Sequence, residues 1–197
     1  MSGNLRLYGP SGYVELAAPA EAANQVLTLP TDSIQPAMVL ISSQSFSAVS
    51  SVSVNNCFSS LYQNYKVVVN YTSSSVPTIY YRLRSGVVDN STSNYHIQRH
   101  QASGASVYSA LSSSQTSWGG WSINANFPTH QVVELFNPFS NNYTLGWYSF
   151  TRMNSATTTD VEQGSNLFSS TTSFDGITFF GTANISGSIM VYGYRNS

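Results

Sequence analysis

Along most of this chain apolar residues recur at every second position, the period of an extended strand with one buried face. Residues 65–71 place Tyr65, Val67, Val69 and Tyr71 on one face. Residues 79–84 put Ile79, Tyr81 and Leu83 inward, and Tyr80, Arg82 and Arg84 outward. The same alternation predicts a strand at 121–127, with Trp121, Ile123, Ala125 and Phe127 inward, and another at 185–194 that buries Ile189 and Val191. Shorter alternations predict strands at 38–41, 46–54, 94–101, 106–111, 132–136, 143–152 and 177–180. Turn chemistry separates them: Ser73-Ser74-Ser75, Asp89-Asn90-Ser91, Ser103-Gly104, Gly119-Gly120 and Asn141-Asn142. Gly187 and Gly193 in the last strand mark a bulge or a close backbone approach. So many short strands with no helical-period segment between them predict an all-β fold, a jelly-roll-like antiparallel β-sandwich over residues 37–197.

Residues 1–36 have a different texture. Leu5-Arg6-Leu7-Tyr8, a turn at Gly9-Pro10-Ser11-Gly12 and Tyr13-Val14-Glu15-Leu16 predict two short strands. An Ala-rich bridge at 17–24, with one or two helical turns after Pro19, leads to a third strand at Val26-Leu27-Thr28-Leu29-Pro30. Strands this short cannot bury Leu5, Leu7, Val14, Leu16, Val26, Leu27 and Leu29 by themselves. The segment is therefore expected to attach to a partner, or to form a stem with copies of itself.

Composition narrows the function. Only 8% of the 197 residues are charged, with seven Lys and Arg against eight Asp and Glu, where soluble proteins run about 25%. Ser, Thr and Asn fill 69 positions. Such a chain suits a neutral, hydroxyl-rich structural or recognition surface. It has no basic run for nucleic acid, no apolar stretch near the roughly 20 residues of a membrane span, and no signal-peptide core at its start. Synthesis and assembly in a cytoplasm are expected.

Catalytic chemistry is sparse. Cys57 stands alone and reads as a small buried hydrophobe. His96 and His100 share a strand face with Gln98 between them, but roughly 13 Å apart in an extended strand they make no metal site. No nucleophile elbow, phosphate loop or dinucleotide fingerprint is present, and no acidic pair suited to glycoside hydrolysis stands out. Neither enzyme activity nor a metal or other cofactor is expected. The stretch Ser117-Trp118-Gly119-Gly120-Trp121 offers aromatics for stacking on sugar rings; Trp121 reads as core, while Trp118 is open between surface anchor and packing. Trp118, the outward Tyr80 and His96 are the candidate contacts with a glycan or receptor.

Three stretches carry a family resemblance. The first is Leu5-Arg6-Leu7-Tyr8-Gly9-Pro10-Ser11-Gly12-Tyr13-Val14-Glu15-Leu16-Ala17-Ala18-Pro19, followed by Gln25-Val26-Leu27-Thr28-Leu29-Pro30. The second is Phe58-Ser59-Ser60-Leu61-Tyr62-Gln63-Asn64-Tyr65-Lys66-Val67-Val68-Val69 with Tyr81-Arg82-Leu83-Arg84-Ser85-Gly86. The third is Ala183-Asn184-Ile185-Ser186-Gly187-Ser188-Ile189-Met190-Val191-Tyr192-Gly193-Tyr194-Arg195-Asn196. Together they resemble tail-fibre and other virion surface proteins of marine tailed phages, the cyanophage type. The resemblance implies a homotrimeric fibre or spike subunit at the virion surface, with residues 1–36 as attachment or trimer stem. Its implied partners are itself, other virion proteins of tail or capsid, and a host surface glycan, with no nucleic acid and no membrane insertion. Many such fibres carry a tail-anchoring domain ahead of this element, where here Leu5 follows almost directly on Met1. A capsid decoration or head-fibre protein that ornaments or stabilises the shell is the alternative expectation.

Overall fold

The computed structural model describes residues 37–195 in full and the backbone of 5–9 and 12–16. The chain divides into two compact units, Met1–Gln35 and Pro36–Ser197. In the first, β1 (Leu5–Gly9) and β2 (Gly12–Leu16) form an antiparallel hairpin. Its register sets Leu5 opposite Leu16 and Leu7 opposite Val14. The helical turns after Pro19 and the third strand, with Val26, Leu27 and Leu29, lie outside the described residues.

The second unit is all-β. Its strands are β3 (Met38–Val54), β4 (Asn64–Thr72), β5 (Thr78–Ser85), β6 (Val88–Asp89), β7 (Tyr95–Ser103), β8 (Ser106–Gln115), β9 (Trp118–Ser122), β10 (Thr129–Phe136), β11 (Thr144–Met153), β12 (Thr159–Phe168) and β13 (Gly176–Tyr194). They form one antiparallel sheet in the order β6-β5-β13-β4-β10-β11-β12-β7-β8, with β3 also beside β13 and β9 also beside β5. The sheet curls into a sandwich-like fold because its long strands turn a corner. β3 pairs with β13 from Val54 opposite Ile177 to Met38 opposite Tyr194. The other side of β13 meets first β5 and then β4. At the corner the register slips between Phe180 and Ile185, and Ala48 takes a φ of 52°. Bulges of this kind bend a strand and carry it from one layer into another. The break expected at 181–184 is therefore a bend within β13, whereas the one expected at 42–45 is regular ladder, Ser42–Ser45 pairing with Ser188–Val191 while β3 bends at Ala48. A further slip occurs at Gly187, where an added Cβ would lie 1.9 Å from the Asn70 carbonyl oxygen.

The inner faces of the two layers make the core. Tyr65, Val67, Val69, Ile79, Tyr81, Leu83, Ile123, Ile189 and Val191 are buried, as the alternation requires. Ala125 departs from the expectation. β9 ends at Ser122, the chain turns at Ala125 and Asn126, and Ala125 and Phe127 are only half-buried. Asn126, at a φ of 63°, donates its N–H to the Ser73 carbonyl at 2.7 Å as the backbone leaves β9 for β10. Cys57 is buried, and desolvation pushes its thiol up to about 12, so it stays protonated at neutral pH.

The Gly119-Gly120 pair is a second correction, since it lies inside β9 rather than in a turn. Trp118 and Trp121 are three residues apart, a spacing that sends side chains to opposite faces of a regular strand. The glycines take φ of 116° and 97°, and the register against β5 slips there, with Ile79 opposite Trp121 and Tyr80 opposite Gly119. One extra residue in the bulge turns both indoles inward. Trp118 packs at 5.6 Å from the Tyr81 ring and 5.0 Å from Tyr95, while Trp121 stacks on Tyr148 at 4.9 Å.

Candidate functional site

Two faces of the β10–β12 region carry chemistry, and they differ in access. The inner positions of β12 are Asp160, Glu162, Gly164, Asn166 and Phe168, all buried. Glu162 accepts a hydrogen bond from the Tyr148 hydroxyl at 2.8 Å and lies 3.8 Å from Arg99. Asp160 accepts from Arg152 Nη2 at 2.8 Å and Nε at 3.0 Å. Asn166 donates to the Tyr81 hydroxyl, and Tyr71 donates to Gln131 at 3.3 Å. Asp160 and Glu162 are thus two carboxylates on one strand face, each held by its own arginine beneath the aromatic core. The carboxylate contacts link the neighbouring strands β7, β11 and β12, and the Asn166–Tyr81 bond reaches across to β5.

Burial pushes the Glu162 carboxyl above its usual range, opposed by the Tyr148 hydroxyl, Arg99 and Arg152. An acid that holds its proton more tightly when folded contributes most below its unfolded pKa, about 4.3. That contribution is lost as pH rises through the folded value. Glu162→Gln should therefore melt close to wild type at pH 4 and above it at pH 8. A variant that melts lower at pH 8 would show that an ionised Glu162 stabilises the fold.

The opposite face of the same strands is open. Strand register sets Glu134 opposite Trp147, Trp147 opposite Ser165, Ser165 opposite Gln98 and Gln98 opposite Leu111, one transverse row across five strands. The next row runs Phe136, Leu145, Leu167 and His96. Between them lies a shallow cleft of about 400 Å³. Trp147 is 44% exposed and Leu111 69%. Ser165 and Gln98 are exposed as well. His96 is fixed at the rim: its Nε2 lies 2.9 Å from the Ser169 hydroxyl, and its Nδ1 accepts a long, 3.5 Å bond from the Ser114 N–H. Glu134 is occupied, accepting from the Tyr194 hydroxyl at 2.7 Å with Lys66 at 3.9 Å.

A larger groove, about 740 Å³, opens near the corner between Asn70, His130, Arg152 and Ser186. Several of its polar groups are already engaged, though the buried Thr129 hydroxyl has no hydrogen-bond partner among the described residues. His130 Nδ1 lies 2.6 Å from Asn70 Oδ1, Arg152 holds Asp160, and the Ser186 hydroxyl accepts from the Ala48 N–H at 2.9 Å.

The three candidate contacts separate in the structure. Trp118 is 0% exposed and donates its indole N–H to the Leu167 carbonyl at 3.2 Å, so it offers no face to a ligand. Tyr80 is half-buried on the other layer, stacked at 5.4 Å on Phe180, whose ring also carries Arg82 at 4.7 Å. His96 lies beside the Trp147 row. Trp147 itself is the residue that alternation alone passes over. Its signal is that 144–150 is apolar on both faces, Leu145 and Trp147 on one and Tyr148 and Phe150 on the other. Among the described residues no three His, Cys, Asp or Glu side chains gather as a metal site requires, and no helix is long and apolar enough to cross a membrane.

No family model matches the sequence, and no curated protein matches it. Among solved structures, a protein of unknown function from Shewanella oneidensis MR-1 aligns at 8% identity over 81% of this chain and 79% of its own, with a TM-score of 0.22. A likeness that loose bears on neither fold nor activity.

Proposed function

We propose that this chain is a non-enzymatic structural subunit of a phage virion, exposed at the particle surface as part of a homotrimeric fibre or spike. The observation that carries the reading is the division of chemistry between the two faces of β10–β12. The Asp160 and Glu162 carboxyls lie on the buried face, Asp160 engaged by Arg152 and Glu162 by the Tyr148 hydroxyl with Arg99 nearby. The outward face mixes Ser149, Thr151, Gln163 and Ser165 with the exposed apolar side chains of Leu145, Trp147 and Val161, and Glu134 on it is bonded to Tyr194 and faces Lys66. A surface with little net charge also lets identical subunits approach without repulsion, and homo-oligomers are generally symmetric. The hairpin β1–β2, with Leu5, Leu7, Val14 and Leu16, supplies the apolar material for attachment or for a trimer stem.

Antibodies against the purified chain, carried on gold, test this on virions whose genome encodes it. Label on the outside of intact particles is expected. Chain found only in the soluble fraction of the infected lysate would contradict it.

A further inference from the structure

We propose that β8 is a self-complementary edge through which two copies of this chain join across a two-fold axis into one continuous sheet. β8 ends the sheet and pairs with β7 alone, so its other side leaves a row of backbone N–H and C=O groups open. The hairpin fixes which residues own that row. Gly104, at a φ of 57°, and Ala105 make a two-residue loop between Ser103 and Ser106. Residues flanking such a loop form a hydrogen-bonded pair. Alternation then turns the backbone groups of Ser106, Tyr108 and Ala110 toward β7, and those of Val107, Ser109 and Leu111 outward. Nothing guards this edge. Its residues are Ser-Val-Tyr-Ser-Ala-Leu-Ser-Ser-Ser-Gln, without charge or proline, and the ladder to β7 is regular from Ser106 to Ser112. Free edges are ordinarily blunted by lysine, proline or a bulge. β3, the other long edge, bends at Ala48 and offers no such straight row.

The side chains select a second copy as the occupant. Val107 is 77% exposed, Tyr108 57% and Leu111 69%, large apolar groups that the sandwich leaves in water. An antiparallel copy with Ser109 opposite Ser109 faces outward backbone groups with outward ones. The same register sets Val107 against Leu111 of the second copy, and Leu111 against its Val107, on one face. On the other face Tyr108 meets Ala110. A slip of one residue would face open groups with groups already bonded to β7. A slip of two would set Val107 against a serine and lose the apolar pairs that stabilise cross-strand contacts. One strand buries less than the roughly 1,000 Å² of a stable interface, so lone chains pair weakly and copies carried together pair by their high local concentration. A two-fold contact cannot close a three-fold ring, so it is distinct from the trimer proposed above and joins one assembly to the next.

The test compares the full chain carrying Ser109→Cys with Ser106→Cys and Ser113→Cys under mild oxidation. A hydrogen-bonded pair holds its Cα atoms about 5.5 Å apart, within disulfide reach, whereas Ser106 would stand about 20 Å from its own copy. Cys57 is buried and stays out of the reaction. Ser109→Cys should link chains in pairs at least about tenfold faster than either control. Adding Val107→Lys should remove that advantage with the melt unchanged, and adding Leu111→Glu to Val107→Lys should restore it, since the two new charges face each other across the axis. Equal rates at the three positions, no linkage at any, or linkage indifferent to Val107→Lys would each overturn the proposal. So would linked material that sediments as the unlinked assembly does, since β8 would then pair inside one assembly. Chain displayed on virions but never linked through Ser109→Cys would overturn this inference alone and leave the virion reading intact.

Discussion

Val67→Asp is expected to give no soluble folded protein. Val67 is 0% exposed, in the middle of β4, between β13 and β10. Its neighbours across the ladder are Val191 and Val133, both fully buried, so the new carboxylate would meet no cation. The penalty for burying an unpaired ion is several kcal/mol even after relaxation, against a total stability of about 5–15 kcal/mol for a typical domain. Soluble yield and a circular-dichroism melt check the outcome. Wild-type yield with a wild-type melt would refute the face assignment of β4, and with it the register of the whole layer.

Trp118→Ala should cost about 3–5 kcal/mol, the range for removing a large aromatic from a packed core. The indole packs on Tyr81 and Tyr95 and donates to the Leu167 carbonyl, so truncation opens a cavity and removes a hydrogen bond together. Trp147→Ala, by contrast, should stay within about 0.5 kcal/mol of wild type, as for most surface changes. Urea unfolding of the two variants side by side measures the difference. Equal losses would mean that the double-glycine bulge does not turn Trp118 inward. The local reason for the bulge is specific: a Cβ on Gly119 would lie 2.5 Å from the Ile79 carbonyl oxygen.

Strand content and most of the core were legible because apolar alternation at 65–71, 79–84 and 185–194 is written in Tyr, Val, Ile and Leu. β12 was hidden for the same reason in reverse. Its inward positions are Asp160, Glu162, Gly164 and Asn166, which read as a solvated face until Tyr148, Arg99, Arg152 and Tyr81 are seen to engage the polar ones. The continuity of β3 and β13 was hidden too, since corner bulges look like strand ends in sequence. Gly119-Gly120 carries ordinary turn chemistry, and only the slip against β5 shows that it reverses the facing of Trp118. Alternation puts His96 on one strand face with His100 and goes no further, whereas the cleft beside Trp147 needs the register of five strands, with Leu111 and Trp147 36 residues apart.

The measurement that bears most directly on the functional reading is an electron cryomicroscopy reconstruction of virions that encode the chain. The expected result is three-fold density at the particle surface that accepts the 37–195 sandwich, with the Trp147 face turned to solvent. Particles without such density, or with that face pressed against the shell, would contradict it.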